Sequence, residues 1–141
     1  MRFMIMVKAT PQSESGVMPE EQLIAAMAHY HEQLSRAGVL LDASGLQPSS
    51  KGWRIRYGEG KRRVLDGPFT ESKELIAGYT IIQVRSRHEA LEWTRRFPAP
   101  FGDMAEAEIE VRQMHEIEDF GPSEAAARFR TMGVAGARSA S

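Results

Sequence analysis

The side chains best suited to chemistry lie close together near the middle of the chain. Asp66 stands in an Asp-Gly-Pro turn, and Glu71, Lys73 and Glu74 follow shortly after it. Such a turn needs only its Asp and Gly, because the Asp side chain bonds its own backbone and Gly adopts positive φ. The additional charges therefore indicate a site, in which Asp66 acts as a general base or binds a donor group of a ligand.

Each of these residues also has a purely structural interpretation, and both interpretations stay open. Asp66 could cap its own turn, since that chemistry explains the Asp-Gly-Pro sequence. Glu71 and Lys73 could form an ordinary surface ion pair, which would be worth about 0–1 kcal/mol. With Glu74 beside them, the three side chains could instead form a charged rim around a ligand.

Two more residues complete the predicted ligand-binding set. Tyr79 follows Gly78 in the most strand-like segment, where a tyrosine is more often a core residue than a catalytic one. Arg112 belongs to the charged, alternating face of the last predicted strand. If that face were buried between two copies, Arg112 would need a carboxylate partner, and Asp66 or Glu74 would be suitable.

The four histidines do not have the spacing of a metal site. His29 and His31 are two residues apart on a predicted helix and therefore lie on different faces, whereas a metal pair needs i, i+4 spacing. His88 and His115 lie near the ends of elements and are expected in solvent. The chain has no cysteine, no glycine-rich phosphate loop and no nucleophile motif, so neither a metal nor a cofactor is predicted.

Composition and charge limit the classes of protein to which the chain can belong. Its 141 residues are enough for one domain with its own core, and 42% of them are apolar. A formal net charge of −1 argues against nucleic acid or an anionic membrane as the main partner. The N-terminal residues have the pattern of a strand and not of a signal peptide, and no apolar run would span a bilayer. We therefore expect a cytoplasmic protein.

Hydrophobic periodicity predicts an α+β fold. Apolar residues at helical spacing predict two long helices, and alternating residues predict six strands. The helices span 19–37 and 87–97, and the strands span 3–9, 39–47, 53–57, 61–65, 77–85 and 108–115. The order β-α-β, then a hairpin, then β-α-β is a ferredoxin-like antiparallel pattern over residues 1–121. Residues 12–16 are expected to form a flexible loop, and 122–141 an extension with a short helix and a frayed tail.

The apolar face of the sheet that the helices leave uncovered predicts a homodimer. Helices cover only one face of such a sheet, yet the predicted strands 3–9 and 77–85 carry apolar residues on both faces. A second copy, packed sheet to sheet, is the simplest cover for the other face. The C-terminal extension is the alternative cover, although it carries little apolar surface.

The segment from Asp66-Gly67-Pro68-Phe69 to Gly78 resembles the signature of the DGPF-type, YCII-related proteins. Further stretches support the resemblance in a consistent order along the chain: 37–41, 45–48, 96–99, 108–112 and 118–121. The resemblance implies a dimeric α+β barrel built from ferredoxin-like subunits and covers residues 1 to about 121. It also implies a mostly uncharacterised family, in bacteria often encoded beside extracytoplasmic-function sigma factors.

A related branch of that family includes a dechlorinating enzyme of chlorinated hydroxyquinol breakdown. The resemblance implies that this branch uses a His on the first helix and an Asp just before the Pro that follows the second helix. The shared landmarks lay Met27 on the His position and Phe97 on the Asp position, and neither can transfer a proton. The dyad therefore does not carry over, although His29 and His31 are close enough for a shift of register to matter.

Two functions of different classes follow. The first is a small, cofactor-independent enzyme that acts on a small polar or aromatic molecule through Asp66 and the Glu71, Lys73 and Glu74 cluster. The second is a non-catalytic, dimeric ligand-binding or regulatory protein that serves a sigma factor. The missing dyad weakens the first function, and the clustered charges support it.

Overall fold

The structure, a computed structural model, describes residues 1–136, so the end of the predicted C-terminal tail lies outside the described residues. The strands are β1 Arg2–Lys8, β2 Leu40–Gly45, β3 Trp53–Gly58, β4 Lys61–Asp66, β5 Ile76–Gln83 and β6 Ile109–Gln113. The helices are α1 Pro11–Glu14, α2 Glu21–Arg36, α3 Arg87–Arg95 and α4 Glu124–Met132. Short 3-10 helices span Ser49–Lys51, Ser72–Glu74 and Ile117–Phe120.

Four of the strands form one antiparallel sheet in the order β2-β5-β1-β6. β1 and β2 both flank β5 and run parallel to each other, so a crossover has to connect them, and α2 provides it. In the same way, α3 provides the crossover between β5 and β6. This arrangement is the predicted ferredoxin-like α+β fold, which is thereby confirmed. β3 and β4 form a separate two-stranded sheet inserted between β2 and β5.

The helices pack on one face of the sheet and form the core there. Ile5 of β1 and Ile82 of β5 are fully buried in one cluster with Leu34 of α2, and each such burial stabilises the fold by about 1.5–3 kcal/mol. Tyr30, one turn before Leu34, donates a hydrogen bond of 2.7 Å to the carbonyl oxygen of Trp93 and so joins α2 to α3. Burial raises the pKa of Tyr30 to about 12.

A short helix occupies most of the segment that was expected to be a flexible loop. Thr10 and Ser13 form a reciprocal cap at the start of α1, with Ser13 N 3.1 Å from Thr10 Oγ1 and Thr10 N 2.9 Å from Ser13 Oγ. The sequence prediction missed it because four residues carry no apolar period, and because the cap uses Ser where a Glu or Gln is usual. α4, by contrast, lies in the extension as predicted and packs against the 3-10 helix Ile117–Phe120.

The β3–β4 hairpin differs from its prediction in burial. Alternation of Trp53, Ile55 and Tyr57 with arginines predicted a half-buried strand, but Trp53 is 63% exposed and Tyr57 66% exposed. The pattern is correct for a strand with one apolar face. The predicted half-burial was wrong because no element of residues 1–136 packs on that face closely enough to bury these side chains.

The base of the hairpin is fixed by the Asp66-Gly67-Pro68-Phe69 turn, in which the Gly67–Pro68 peptide bond is cis. Gly67 N donates to the carbonyl oxygen of Gly52 at 3.0 Å, and Phe69 N donates to Ser49 Oγ at 2.9 Å. Ser49 is held in turn by the carboxylate of Glu14, which accepts from its backbone N at 2.9 Å and from its hydroxyl. A Cβ on Gly67 would overlap the backbone carbonyl of Ser49. Close packing of two backbones therefore explains the glycine.

We predict that Gly67→Ala destabilises the chain by about 1–3 kcal/mol, because the new methyl group has to displace backbone atoms of Ser49. Urea denaturation followed by circular dichroism measures the difference. Gly58→Ala is the matched control, since a Cβ there meets open space and the change is expected to be neutral or slightly stabilising. Equal urea concentrations at the midpoints of unfolding of the two variants would contradict the packing role of Gly67.

Candidate functional site

A cavity of about 450 Å³ lies between α2 and the adjoining ends of β2 and β5. α2 contributes Leu23, Met27 and His31 to its wall, and β5 contributes Thr80. Phe97, which follows α3, closes another side. The walls are mostly apolar with a few polar groups, which is the usual make-up of a site for a small organic molecule.

His31 is the histidine that faces this cavity. Its Nδ1 lies 2.7 Å from the carbonyl oxygen of Met27, and its Nε2 lies 2.8 Å from Thr80 Oγ1. A carbonyl oxygen can only accept, so Nδ1 carries a proton, and in the neutral tautomer Nε2 accepts a hydrogen bond from the Thr80 hydroxyl. The ring makes an edge contact with Phe97, with 6.4 Å between the ring centroids.

The periodicity of α2 explains why His31 faces inward while His29 does not. Leu23, Met27 and His31 recur at four-residue spacing and therefore share one face of the helix. His29 lies on another face and is exposed to solvent. Both positions that the family resemblance compared with the His and Asp of the related branch, Met27 and Phe97, line the cavity. Sequence reasoning did not select His31, although its i+4 relation to Met27 was a usable signal.

Tyr79 also borders the cavity, but its hydroxyl acts elsewhere. Side chains alternate along β5, so Tyr79 points away from the helices while Thr80 points toward them. The Tyr79 hydroxyl donates to Asp42 Oδ2 at 2.9 Å. This hydrogen bond to a carboxylate raises the pKa of Tyr79 above its ordinary value.

The structure does not bring the predicted charged cluster into the cavity. Asp66 is exposed at the end of β4, and its carboxylate accepts no hydrogen bond within the described residues. Glu71, Lys73 and Glu74 are exposed at the 3-10 helix that follows, with no ion pair among them in residues 1–136. Their roles as base and ligand contacts stay predictions.

Arg112 lies on the face of the sheet that the helices leave open. Across the sheet, Arg112 stands beside Met4, and Met4 stands beside Ile81. Its guanidinium Nε is 3.9 Å from Glu110 Oε2, a distance typical of a weak surface pair. Its pairing with Asp66 or Glu74 inside a dimer stays a prediction.

The described residues contain neither a metal cluster nor a membrane-spanning helix. No group of three His, Asp or Glu side chains in residues 1–136 is close enough to hold a metal ion. In the same range, no helix combines the length and the apolar character needed to cross a bilayer.

Fold and cavity together define a class: a ferredoxin-like α+β domain with an apolar cavity that contains one histidine. The chain matches the YCII-related domain over residues 1–115, and it belongs to that family. Over 76 residues it is 30% identical to an uncharacterised protein from Rhizobium meliloti (strain 1021), a match that covers 54% of this chain and 61% of that protein.

A solved structure is similar as well: 5-chloro-2-hydroxyhydroquinone dehydrochlorinase from Burkholderia phenoliruptrix AC1100 in complex with 2,5-dihydroxybenzoquinone. The two chains are 20% identical with a TM-score of 0.43, and the match covers 82% of this chain and 95% of that chain.

We predict that Asp42→Asn lowers the pKa of Tyr79, because the neutral amide no longer favours the protonated phenol over the phenolate. A pH titration of the chain with labelled tyrosines, followed by NMR, resolves the individual phenols. Tyr30 is the internal control: it donates to Trp93, and its pKa of about 12 should not move. An unchanged Tyr79 titration would show that the pair with Asp42 does not persist in solution.

Proposed function

We propose that this chain is a cofactor-independent enzyme that binds a small, largely apolar or aromatic molecule in the cavity and removes a proton from its hydroxyl group. The observation that carries the proposal is His31, an imidazole in the wall of an apolar cavity, whose two ring nitrogens are held by the Met27 carbonyl oxygen and Thr80 Oγ1. A positioned imidazole is the commonest general base in enzymes.

The proposed step uses groups that are already in place. A ligand hydroxyl that approaches Nε2 of His31 replaces the hydrogen bond from Thr80 and transfers its proton to that nitrogen. The imidazolium that forms keeps its Nδ1–H bond to the Met27 carbonyl, which favours the charged ring. The Thr80 hydroxyl, released from Nε2, is then free to donate to the ligand oxygen, on which negative charge has developed.

A non-catalytic ligand-binding or regulatory protein, one that serves a sigma factor, is the second candidate. The specific observation in its favour is the lining of the cavity, to which no carboxylate of the described residues contributes. In the described part of the chain, Phe97 and not a carboxylate lines the cavity at the position that the family resemblance compares with the Asp of the related branch. We propose the cytoplasm as the location for either function.

We propose further that two copies pack through their open sheet faces and form an α+β barrel. The centre of this face is apolar, because Met6 stands beside Tyr79 and Met4 beside Ile81. Charged residues of β6, Glu110 and Arg112, lie along one edge. An apolar centre with a polar rim is the usual anatomy of a stable interface.

We predict that His31→Gln weakens ligand binding more than His29→Gln does. A thermal-shift screen of small phenols and acids identifies a ligand, whose Kd is then measured for both variants. Losing the hydrogen bond to the ligand costs about 0.5–1.5 kcal/mol, which is a roughly two- to tenfold higher Kd. His29→Gln is the control because His29 is exposed on another face of the same helix.

The same measurements separate the proposals from each other. If the ligand is turned over and His31→Gln abolishes turnover, the enzyme proposal stands, whereas binding without turnover supports the second candidate. Asp66→Asn tests the alternative position of the site. A loss of binding in Asp66→Asn with none in His31→Gln would move the site to the hairpin base and refute the cavity.

For the dimer, we predict that sedimentation gives the mass of two chains at micromolar concentration. Met6→Glu should shift the mass to one chain, because a carboxylate would be buried without a partner at the centre of the interface. Gln33→Glu, on the exposed side of α2, adds the same charge and should leave the dimer intact. A wild-type mass of one chain would refute the face-to-face dimer.

A further inference from the structure

The β3–β4 hairpin, residues 53–66, is here called the arm. Most of its side chains are exposed to solvent, although an isolated two-stranded hairpin is only marginally stable in water. One face carries apolar side chains, including Trp53 at 63%, Tyr57 at 66% and Val64 at 66% exposure. Trp53 and Tyr57 of β3 share this face with Val64 of β4, and an exposed apolar patch of this kind usually marks a contact surface.

The charged residues of the arm are mostly basic. Five basic residues stand against two acidic ones, and Arg56 is directly opposite Arg63 in the strand register. Like charges at opposed positions repel each other and destabilise a hairpin. No basic residue of the arm forms an ion pair within residues 1–136. The pair Arg56 and Arg63 therefore lacks, within one copy, the anion that would relieve the repulsion.

The complementary charge lies on the same chain, in residues 103–108, here called the acidic segment. Its charged residues are Asp103, Glu106 and Glu108, which are exposed and form no ion pair in the described part of the chain. Met104, among them, is 99% exposed. The segment leads into β6, an edge strand of the sheet. It thus offers carboxylates, an apolar side chain and an open sheet edge together.

We propose that the arm of one copy docks on the acidic segment of a second copy. Opposite charges that are unpaired in one copy then pair between copies. Side chains alternate along each strand, so Arg56 and Arg63 project from the face opposite Trp53, and this basic face meets the carboxylates of the acidic segment. The base of the arm is rigid, because Gly67 N is bonded to Gly52 O and the Arg54 guanidinium lies 3.8 Å from the centre of the Phe69 ring. A rigid arm loses little freedom on docking.

The proposal rests on the homodimer but adds a contact that sheet packing does not require. Zero-length carbodiimide coupling joins amines to carboxylates in contact, and Lys61 is the lysine of the arm. With a mixture of isotope-labelled and unlabelled chains, we expect links between copies from Lys61 to the acidic segment. A dimer without such links would overturn the docking contact and leave the sheet-to-sheet dimer standing. A wild-type monomer would overturn both.

Charge reversal provides the second test. Arg56→Glu with Arg63→Glu should raise the dimer Kd at least tenfold at low salt, and mixing with Glu106→Arg/Glu108→Arg copies should restore binding. Arg87→Glu with Arg128→Glu is the matched control, since both arginines are exposed outside the arm and form no ion pair in residues 1–136. An unchanged dimer Kd, with loss of binding to single-stranded oligonucleotides instead, would show that the arm binds nucleic acid and overturn the proposal.

Discussion

Two helices can cover only one face of a four-stranded antiparallel sheet, and the rest of the molecule depends on this constraint. α2 and α3 bury the face that carries Ile5 and Ile82. The cavity lies on the same face, toward the end of the sheet where Thr80 meets His31 instead of another apolar side chain. Within residues 1–136, α2 and α3 leave the opposite face open, and no element buries the apolar side chains of the arm inserted between β2 and β5. Both surfaces therefore leave apolar side chains accessible, and the proposed sheet-to-sheet contact between copies would cover those of the sheet.

The order of elements could be predicted from the sequence, because periodicity reports which faces of each element are apolar. Burial of the arm could not be predicted in the same way. Alternation of Trp53, Ile55 and Tyr57 with arginines shows that the strand has an apolar face, but not that anything within the chain covers it. Coverage depends on where the two-stranded sheet is placed relative to the main sheet. That placement is set by backbone contacts of Gly67 and Ser49, which leave no periodic signal.

The site shows the same division between local and tertiary information. The sequence marked the segment from Asp66 onward because its turn and charges are contiguous, and the structure gives its glycine a packing role at the base of the arm. His31 belongs to a site assembled from α2, β5 and the segment after α3. Two histidines separated by one residue look equivalent in sequence. Only the packing of Tyr30 and Leu34 into the core fixes the rotation of α2, and this rotation turns His31 inward and His29 outward.

The composition of the cavity also restricts which reactions suit it. Among the residues that the structure describes, His31 is the imidazole of the lining and no carboxylate accompanies it. Hydrolysis by general acid–base catalysis needs one group to activate water and another to protonate the leaving group. A single base suits reactions in which the proton that it removes returns to the same molecule at another atom, such as the tautomerisation of a phenol or enol. The lining favours this chemistry, because it offers no carboxylate of the described residues that could take the proton from the imidazole before the ligand takes it back.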